Sequence, residues 1–307
     1  NMDKLKVFFD KFQNVMEEKV VPVATRIASQ KHLSALRDGL TILIPFTVIG
    51  GISLMIANPP VDLEVMKPTN FFFQFMIMWK NWATDWATLL TIPFHLTIGI
   101  ISVYVVLGIS YRFSKYYKME ALPNSLTALF VFLCVAGVPQ SINEGSFIDV
   151  SGLGASSMFA AIIIALLVIE INHWMIIKNL KISMPKGVPP MVAGPFEVLL
   201  PLVVNTILFI VLDQVIFMIT GSGLTNLVFT IFSPLISATA SLPSMLFIVV
   251  LTVVFWFFGI HGDNMVGAVV TPIITMNIAL NLEAYQAHQE MTHIFAGQFN
   301  GVWGGWC

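Results

Sequence analysis

Charge is what this chain has least of. Of 307 residues only 10% are Asp, Glu, Lys or Arg, against about 25% in an ordinary soluble domain. Hydrophobic residues make up 57%, and the mean hydropathy is +0.84. That excess of apolar surface excludes a water-soluble enzyme. A net charge of −2 supplies no broad basic field, which excludes nucleic acid as a partner. Two cysteines, Cys134 and Cys307, build neither a disulfide framework nor a zinc cluster, and Cys134 reads as inert packing inside an apolar stretch. There is no P-loop and no G-x-S-x-G. His288 and His293 stand near Glu283 and Glu290 without the H-E-x-x-H spacing of a zinc site. No metal, cofactor or catalytic set is therefore expected. Basic residues cease after Lys186, and beyond it the only charges are Glu197, Asp213, Asp263, Glu283 and Glu290.

What the chain does have is long apolar runs. A helix crossing the ~30 Å hydrocarbon core needs about 20 mostly apolar residues. Residues 39–57, 87–111, 152–177, 194–219 and 242–260 meet this, and 124–139 is a shorter sixth. A seventh, 264–282, is interrupted at Thr271-Pro272. Strands of a membrane barrel alternate over about ten residues, and these runs do not. The expected fold class is all-α: a polytopic transmembrane helical bundle. Interfacial amphipathic helices and re-entrant or broken helices in its C-terminal half complete the expectation.

Lys and Arg set the orientation. Residues 1–38 hold seven of the fifteen; Arg112, Lys115 and Lys118 form a second group, and Lys178, Lys181 and Lys186 a third. Lys67 and Lys80 are the remainder. Placing the N-terminus in the cytoplasm puts thirteen of the fifteen on the inner side.

The first 34 residues lack the apolar core of a signal peptide. Leu5, Phe8, Phe9, Phe12 and Val15 recur at helical spacing among lysines, the pattern of a helix lying on the inner membrane surface. Residues 223–241 carry an apolar stripe diluted by Thr, Asn and Ser, which suits a helix along the outer interface. The expected organisation is a leader helix over 1–34, a five-helix half over 35–222, an interfacial linker over 223–241, and the start of a second half over 242–307. The ending GQFNGVWGGWC lacks the polar, basic close usual in membrane proteins, so the second half is expected to be incomplete.

Polar groups at membrane depth cost roughly 2.5–3.5 kcal/mol for a central charge on insertion scales, so each needs a role or a partner. The sharpest group is Gly259-Ile260-His261-Gly262-Asp263-Asn264. Two glycines around a histidine permit non-helical backbone, which is tolerated at membrane depth where it lines a cavity. Transport proteins use such breaks to meet polar substrates. His261, Asp263 and Asn264 offer donors and acceptors suited to sugar hydroxyls. Trp256, with Phe255, Phe257 and Phe258, offers an aromatic wall for C–H faces. The competing interpretation is a polar turn at the membrane surface. Glu197, one turn inside its span after Val188-Pro189-Pro190, reads as a carboxylate at a helix N-terminus. Asp213 lies deeper in the same span. His95 reads as a hydrogen-bonded core histidine. Glu170 and His173, three apart on one face, read as a surface pair rather than a proton relay.

At GIHGDN, preceded by WFF, the sequence resembles the membrane-embedded IIC component of the phosphoenolpyruvate-dependent sugar phosphotransferase system, in its lactose/cellobiose/N,N′-diacetylchitobiose branch. VPP before the fifth span and Arg37-Asp38-Gly39 opening the first support it. The resemblance implies import of a β-linked disaccharide by an elevator-like movement. It implies phosphorylation by a phosphocysteine on a separate IIB partner, and a homodimer joined through the N-terminal helices in the bacterial cytoplasmic membrane. It places His261 beside the hydroxyl to be phosphorylated, with Gly262 and Asn264 in the same segment. The glutamate the family uses downstream of this histidine is not assignable to Glu283 or Glu290. An ion-coupled secondary transporter, with Glu197, Asp213 and His261 as a proton path, is the alternative. A membrane hydrolase using His261 and Asp263 lacks a nucleophile.

Overall fold

The structure is a computed structural model. It describes residues 29–142, 145–180, 182, 190–239, 241–257 and 262–293, with isolated positions between 11 and 26; at 190–195, 238, 257, 263–265 and 268 it describes the backbone alone. Helix dominates. The first membrane-length segment, Lys31–Ala57, consists of α1 (Lys31–Thr41) and α2 (Ile44–Ala57), with Pro45 in the opening turn of α2. Proline is tolerated there because a first-turn N–H has no helical partner to lose. The segment Ala87–Tyr116 is broken. Short α4 (Ala87–Leu90) and α5 (Ile92–His95), a 3₁₀ turn at Ile98–Ile100 and α6 (Ile101–Tyr116) follow one another, with Pro93 at the start of α5.

Between these two segments lies α3 (Phe71–Asp85), capped by the Asn70 side chain, which accepts from the Phe73 N–H at 2.9 Å. Then come α7 (Ala121–Ala136), α8 (Met158–Ile177) and α9 (Pro190–Thr220). A two-stranded antiparallel hairpin, β1 (Pro139–Ile142) with β2 (Gly145–Ile148), follows α7. The last elements are α10 (Leu224–Thr239), α11 (Leu242–Phe257) and α12 (Gly262–Gln286). Among the described residues, four helices are by length and composition sufficient to cross a membrane, and a fifth if α10 and α11, bent by 80°, count as one broken span. The helix α12 continues through Pro272.

The core is a layer of α1, α6, α7 and α8. Its tightest point is the crossing of α1 and α6. A Cβ added at Gly108 would stand 2.6 Å from the Gly39 carbonyl oxygen, and one at Gly39 would stand 2.6 Å from the Ile109 Cα. Small residues permit such contact, and close approach drives helix association in lipid. A second tie is a chain of three fully buried asparagines across α7, α8 and α9. The Asn172 amide donates to Asn124 Oδ1 at 2.8 Å; the Asn205 amide donates to Asn172 Oδ1 and to the Pro201 carbonyl, both at 2.8 Å. The Ser102 hydroxyl, also buried, donates to the Gly154 carbonyl at 2.7 Å, fixing α6 to the turns that precede α8.

The Gly39–Gly108 crossing predicts that Gly108→Val destabilises the purified protein by about 1–3 kcal/mol, the range for overpacked cores. Gly51→Ala is the control, since nothing stands within 4 Å of a Cβ there. It is expected to leave stability unchanged or raise it by up to about 1 kcal/mol through helix propensity. Thermal unfolding in detergent checks both.

Candidate functional site

The segment that the sequence singles out sits where α11 gives way to α12. His261 lies outside the described residues, as do Phe258, Gly259 and Ile260. Gly262 is buried at the first position of α12, and a side chain there would overlap the Thr252 carbonyl and approach the Trp256 ring at 2.9 Å. The two helices thus touch backbone to backbone immediately beyond the link. Glycine is required by that contact, independent of any ligand. Trp256 is half-buried and its indole Nε1 is shielded from solvent. Thr252 is buried, its hydroxyl donating to the Ile248 carbonyl at 2.9 Å. Asp263 and Asn264 belong to the first turn of α12, where the helix dipole favours an acidic residue; their side chains are not among those described.

The far end of α12 is anchored. Glu283 Oε1 accepts from the Ala155 N–H at 3.1 Å and lies against Gly154, where a Cβ would meet it at 2.8 Å. The Tyr285 hydroxyl donates to the Asn58 carbonyl at 2.9 Å. The Asn281 amide donates to the His293 carbonyl at 2.7 Å and its oxygen accepts from the His293 N–H at 3.1 Å. With 25 residues, α12 is about 37 Å long and spans the bundle from the Gly262 link to the end where α2 finishes.

Other polar residues find partners that sequence spacing did not reveal. Asp213 Oδ1 accepts from the Leu224 N–H at 2.7 Å and so caps α10. Glu197 and Asp213 stand about 24 Å apart along one continuous α9 at 1.5 Å per residue, too far to pass a proton directly. Glu170 does not pair with His173. Its Oε1 accepts from the Tyr117 hydroxyl at 2.5 Å and meets His32 Nε2 at 2.7 Å. His173 stacks on the Tyr117 ring at 3.7 Å between centroids, and Lys31 Nζ stands 4.8 Å over the ring. This cluster joins α1, α6 and α8 at the end opposite the anchored end of α12. Desolvation, then the Glu170 bond, push the Tyr117 phenol up to about 12. A raised value means the neutral phenol is favoured by folding, so its contribution is complete below about pH 10 and disappears as pH rises through 12.

His95 is not a core histidine. It is exposed and lines a cavity together with Asn58 and His288. Among the described residues no group of three metal-ligating side chains converges.

Comparison with known proteins follows the same path. The family model for the phosphotransferase system, EIIC, matches residues 37–307. The chain is 32% identical over 201 residues to the PTS system cellobiose-specific EIIC component of Geobacillus stearothermophilus, covering 62% of this chain and 42% of that one. It is 31% identical over 290 residues to the PTS system oligo-beta-mannoside-specific EIIC component of Bacillus subtilis (strain 168), covering 92% and 63%. The crystal structure of the transporter ChbC, the IIC component from the N,N′-diacetylchitobiose-specific phosphotransferase system, superposes with a TM-score of 0.79 at 32% identity, covering 94% of this chain and 67% of that one. The chain therefore spans less than two thirds of the length of these curated relatives.

The Gly262 contact predicts that Gly262→Val separates α11 from α12. Cysteines placed at Ile248 and Val266, both packed against the core, report it: spin labels there are expected to show a broader and longer distance distribution in the Gly262→Val background than in the parent.

Proposed function

The chain belongs to the phosphotransferase system EIIC family, and on that premise we propose that it is a multi-pass permease of the bacterial cytoplasmic membrane. It imports a β-linked disaccharide of the cellobiose or diacetylchitobiose class by alternating access. The sugar is presented on the inner side to a phosphocysteine of a separate IIB partner. The observation that carries this reading is the match of the phosphotransferase system EIIC family model to residues 37–307, with the likeness to the diacetylchitobiose transporter structure beside it. Gly262, next to His261 in the sequence, packs against the Thr252 carbonyl and the Trp256 ring at the start of α12. His261 binds the sugar next to the hydroxyl that receives the phosphoryl group, Asp263 and Asn264 take neighbouring hydroxyls, and Trp256 offers its ring to the C–H face. Gly262 admits the close backbone approach.

Orientation supports the direction of transfer. The end that carries Lys31, Arg37, Arg112, Lys115 and Lys118 also carries the His32–Glu170–Tyr117 cluster. The other end has Lys67 and Lys80. Under the positive-inside rule the first end faces the cytoplasm, so the partner that donates phosphate approaches a basic rim. Two copies pair through the N-terminal helices. The ion-coupled alternative is weakened by Asp213, which is occupied in capping α10, and by its distance from Glu197.

Purified His261→Ala is expected to bind cellobiose at least about tenfold more weakly, the loss of one or two hydrogen bonds at about 1–1.5 kcal/mol each, while remaining dimeric by light scattering. Unchanged affinity removes His261 from the site. In vesicles with the phosphoryl donor inside, the accumulated product is phosphorylated sugar and uptake survives an uncoupler. Unmodified sugar whose uptake collapses with the proton gradient establishes the alternative.

A further inference from the structure

The cavity at the anchored end of α12 has a composition of its own. It measures about 610 Å³, within the roughly 300–1,000 Å³ of small-molecule sites. Six side chains supply its polar lining: Asn58, Thr88, Thr91, His95, Gln286 and His288. They come from the end of α2, from α4 and α5, and from α12 with the turn that follows it. None is an acid, a lysine or an arginine, so an ionic ligand finds no counter-charge. Amide, hydroxyl and imidazole groups are the kind that pair with vicinal hydroxyls; of these the Thr91 hydroxyl donates to the Ala87 carbonyl at 2.9 Å and is left as an acceptor. Ile92 and Leu96 add apolar wall.

Two observations indicate that this lining is arranged for a ligand. His95 interrupts an otherwise apolar run and its imidazole is exposed, where lipid contact would be costly; a hydrated, ligand-bearing cavity removes that cost. His288 terminates α12 in the left-handed region, with φ of 55°. Its N–H donates to the Tyr285 carbonyl at 3.1 Å, and the Gln289 N–H donates to the Ala284 carbonyl at 2.8 Å. Glycine is the ordinary residue at such a helix end. Lys118 and Asn179 end α6 and α8 in the same conformation, with φ of 56° and 55°, so the backbone is an ordinary helix end here; what sets His288 apart is that it lines the cavity together with His95.

We propose that this cavity is a second binding site, taking a neutral polyhydroxylated solute, a mono- or oligosaccharide, before it reaches the His261 segment. The proposal rests on the permease reading. The two sites are separated by the length of α12, so they are distinguishable in one experiment. The protein in nanodiscs is treated with diethyl pyrocarbonate, with and without cellobiose, and histidine modification is quantified by mass spectrometry. His173, at the opposite end, is the internal reference.

Modification of His95 and His288 is expected to slow about tenfold at roughly ten times the half-protecting cellobiose concentration. His173 is expected not to change. Protection persists in His261→Ala, and phosphate at the same concentration gives none. His288→Gly is expected to keep or raise the Tm, because glycine suits the position, and to increase the half-protecting concentration read at His95; Gln286→Ala increases it too. Protection confined to His261, or protection by phosphate but not by cellobiose, overturns the outer site and leaves the permease standing. Protection at His95 that vanishes in His261→Ala also overturns it, since one site then accounts for both signals. Full protection in both His288→Gly and Gln286→Ala does the same. Absence of both sugar binding and phosphorylated product defeats the permease reading, and this proposal with it.

Discussion

Hydrocarbon is as apolar as leucine, so helices inside a bilayer gain little by hiding leucines from it. What holds such helices is contact close enough for dispersion to act between backbones, together with polar pairs that have nowhere else to go. Both are visible here. Gly39 and Gly108 bring α1 and α6 together at a distance no side chain would allow, and three buried asparagines run as a chain through α7, α8 and α9. On the frame so made, Ser102 fixes the turns at Gly154, and Gly154 in turn receives Glu283 from α12. The placement of α12 thus depends on glycine contacts, a buried hydroxyl and the Glu283 carboxylate, together with Val270, Ile273, Met276 and Ala279, which it buries in the core.

The same constraint decides what could be read in the sequence. Uninterrupted apolar runs were legible because lipid tolerates little else; 194–219 corresponds to α9 and 242–260 to α11. The kind of fold follows from them. The helix α3 was missed because it is aromatic-rich and short of span length, though Asn70 ahead of Phe71 was a capping signal. The hairpin at Pro139–Ile148 was missed because four-residue strands leave no periodicity to count. Thr271-Pro272 read as an interruption, yet α12 continues: one proline costs one hydrogen bond, and neighbouring helices hold the rest in place.

Polar residues were harder, for a physical reason. A partner across space leaves no trace in spacing. Glu170 and His173 share a helical face, but Glu170 turns to His32 and Tyr117, which are 138 and 53 residues away in sequence. Asp213 satisfies a helix end that begins eleven residues later. His95, expected to be buried, opens into a cavity built by two other stretches of chain. The GIHGDN segment differs in kind, and of it the structure describes only Gly262 and the backbone of Asp263 and Asn264. Its signal, glycine on both sides of a histidine after a uniformly apolar span, is entirely local, and so is the contact Gly262 makes with Thr252 and Trp256.

The binding groups of a sugar transporter face opposing demands, and under the two proposals made above the ends of α12 divide them. Where sugar is to be phosphorylated, orientation matters most, since a reacting hydroxyl must be held within reach of the donor. On the proposed reading, Trp256 and His261 serve that end. Where sugar first arrives, holding it tightly would only slow its departure. Hydroxyl, amide and imidazole groups suit this better than carboxylates and ammonium groups. Each neutral hydrogen bond nets only about 1 kcal/mol after exchange with water, whereas bonds to charged groups run to about 1.5–3 kcal/mol. Charge is also dear to retain at membrane depth. The scarcity of acids and bases in the second half of this chain then fits the proposed cargo as well as the solvent: an uncharged ligand needs none, and lipid penalises every one that is present.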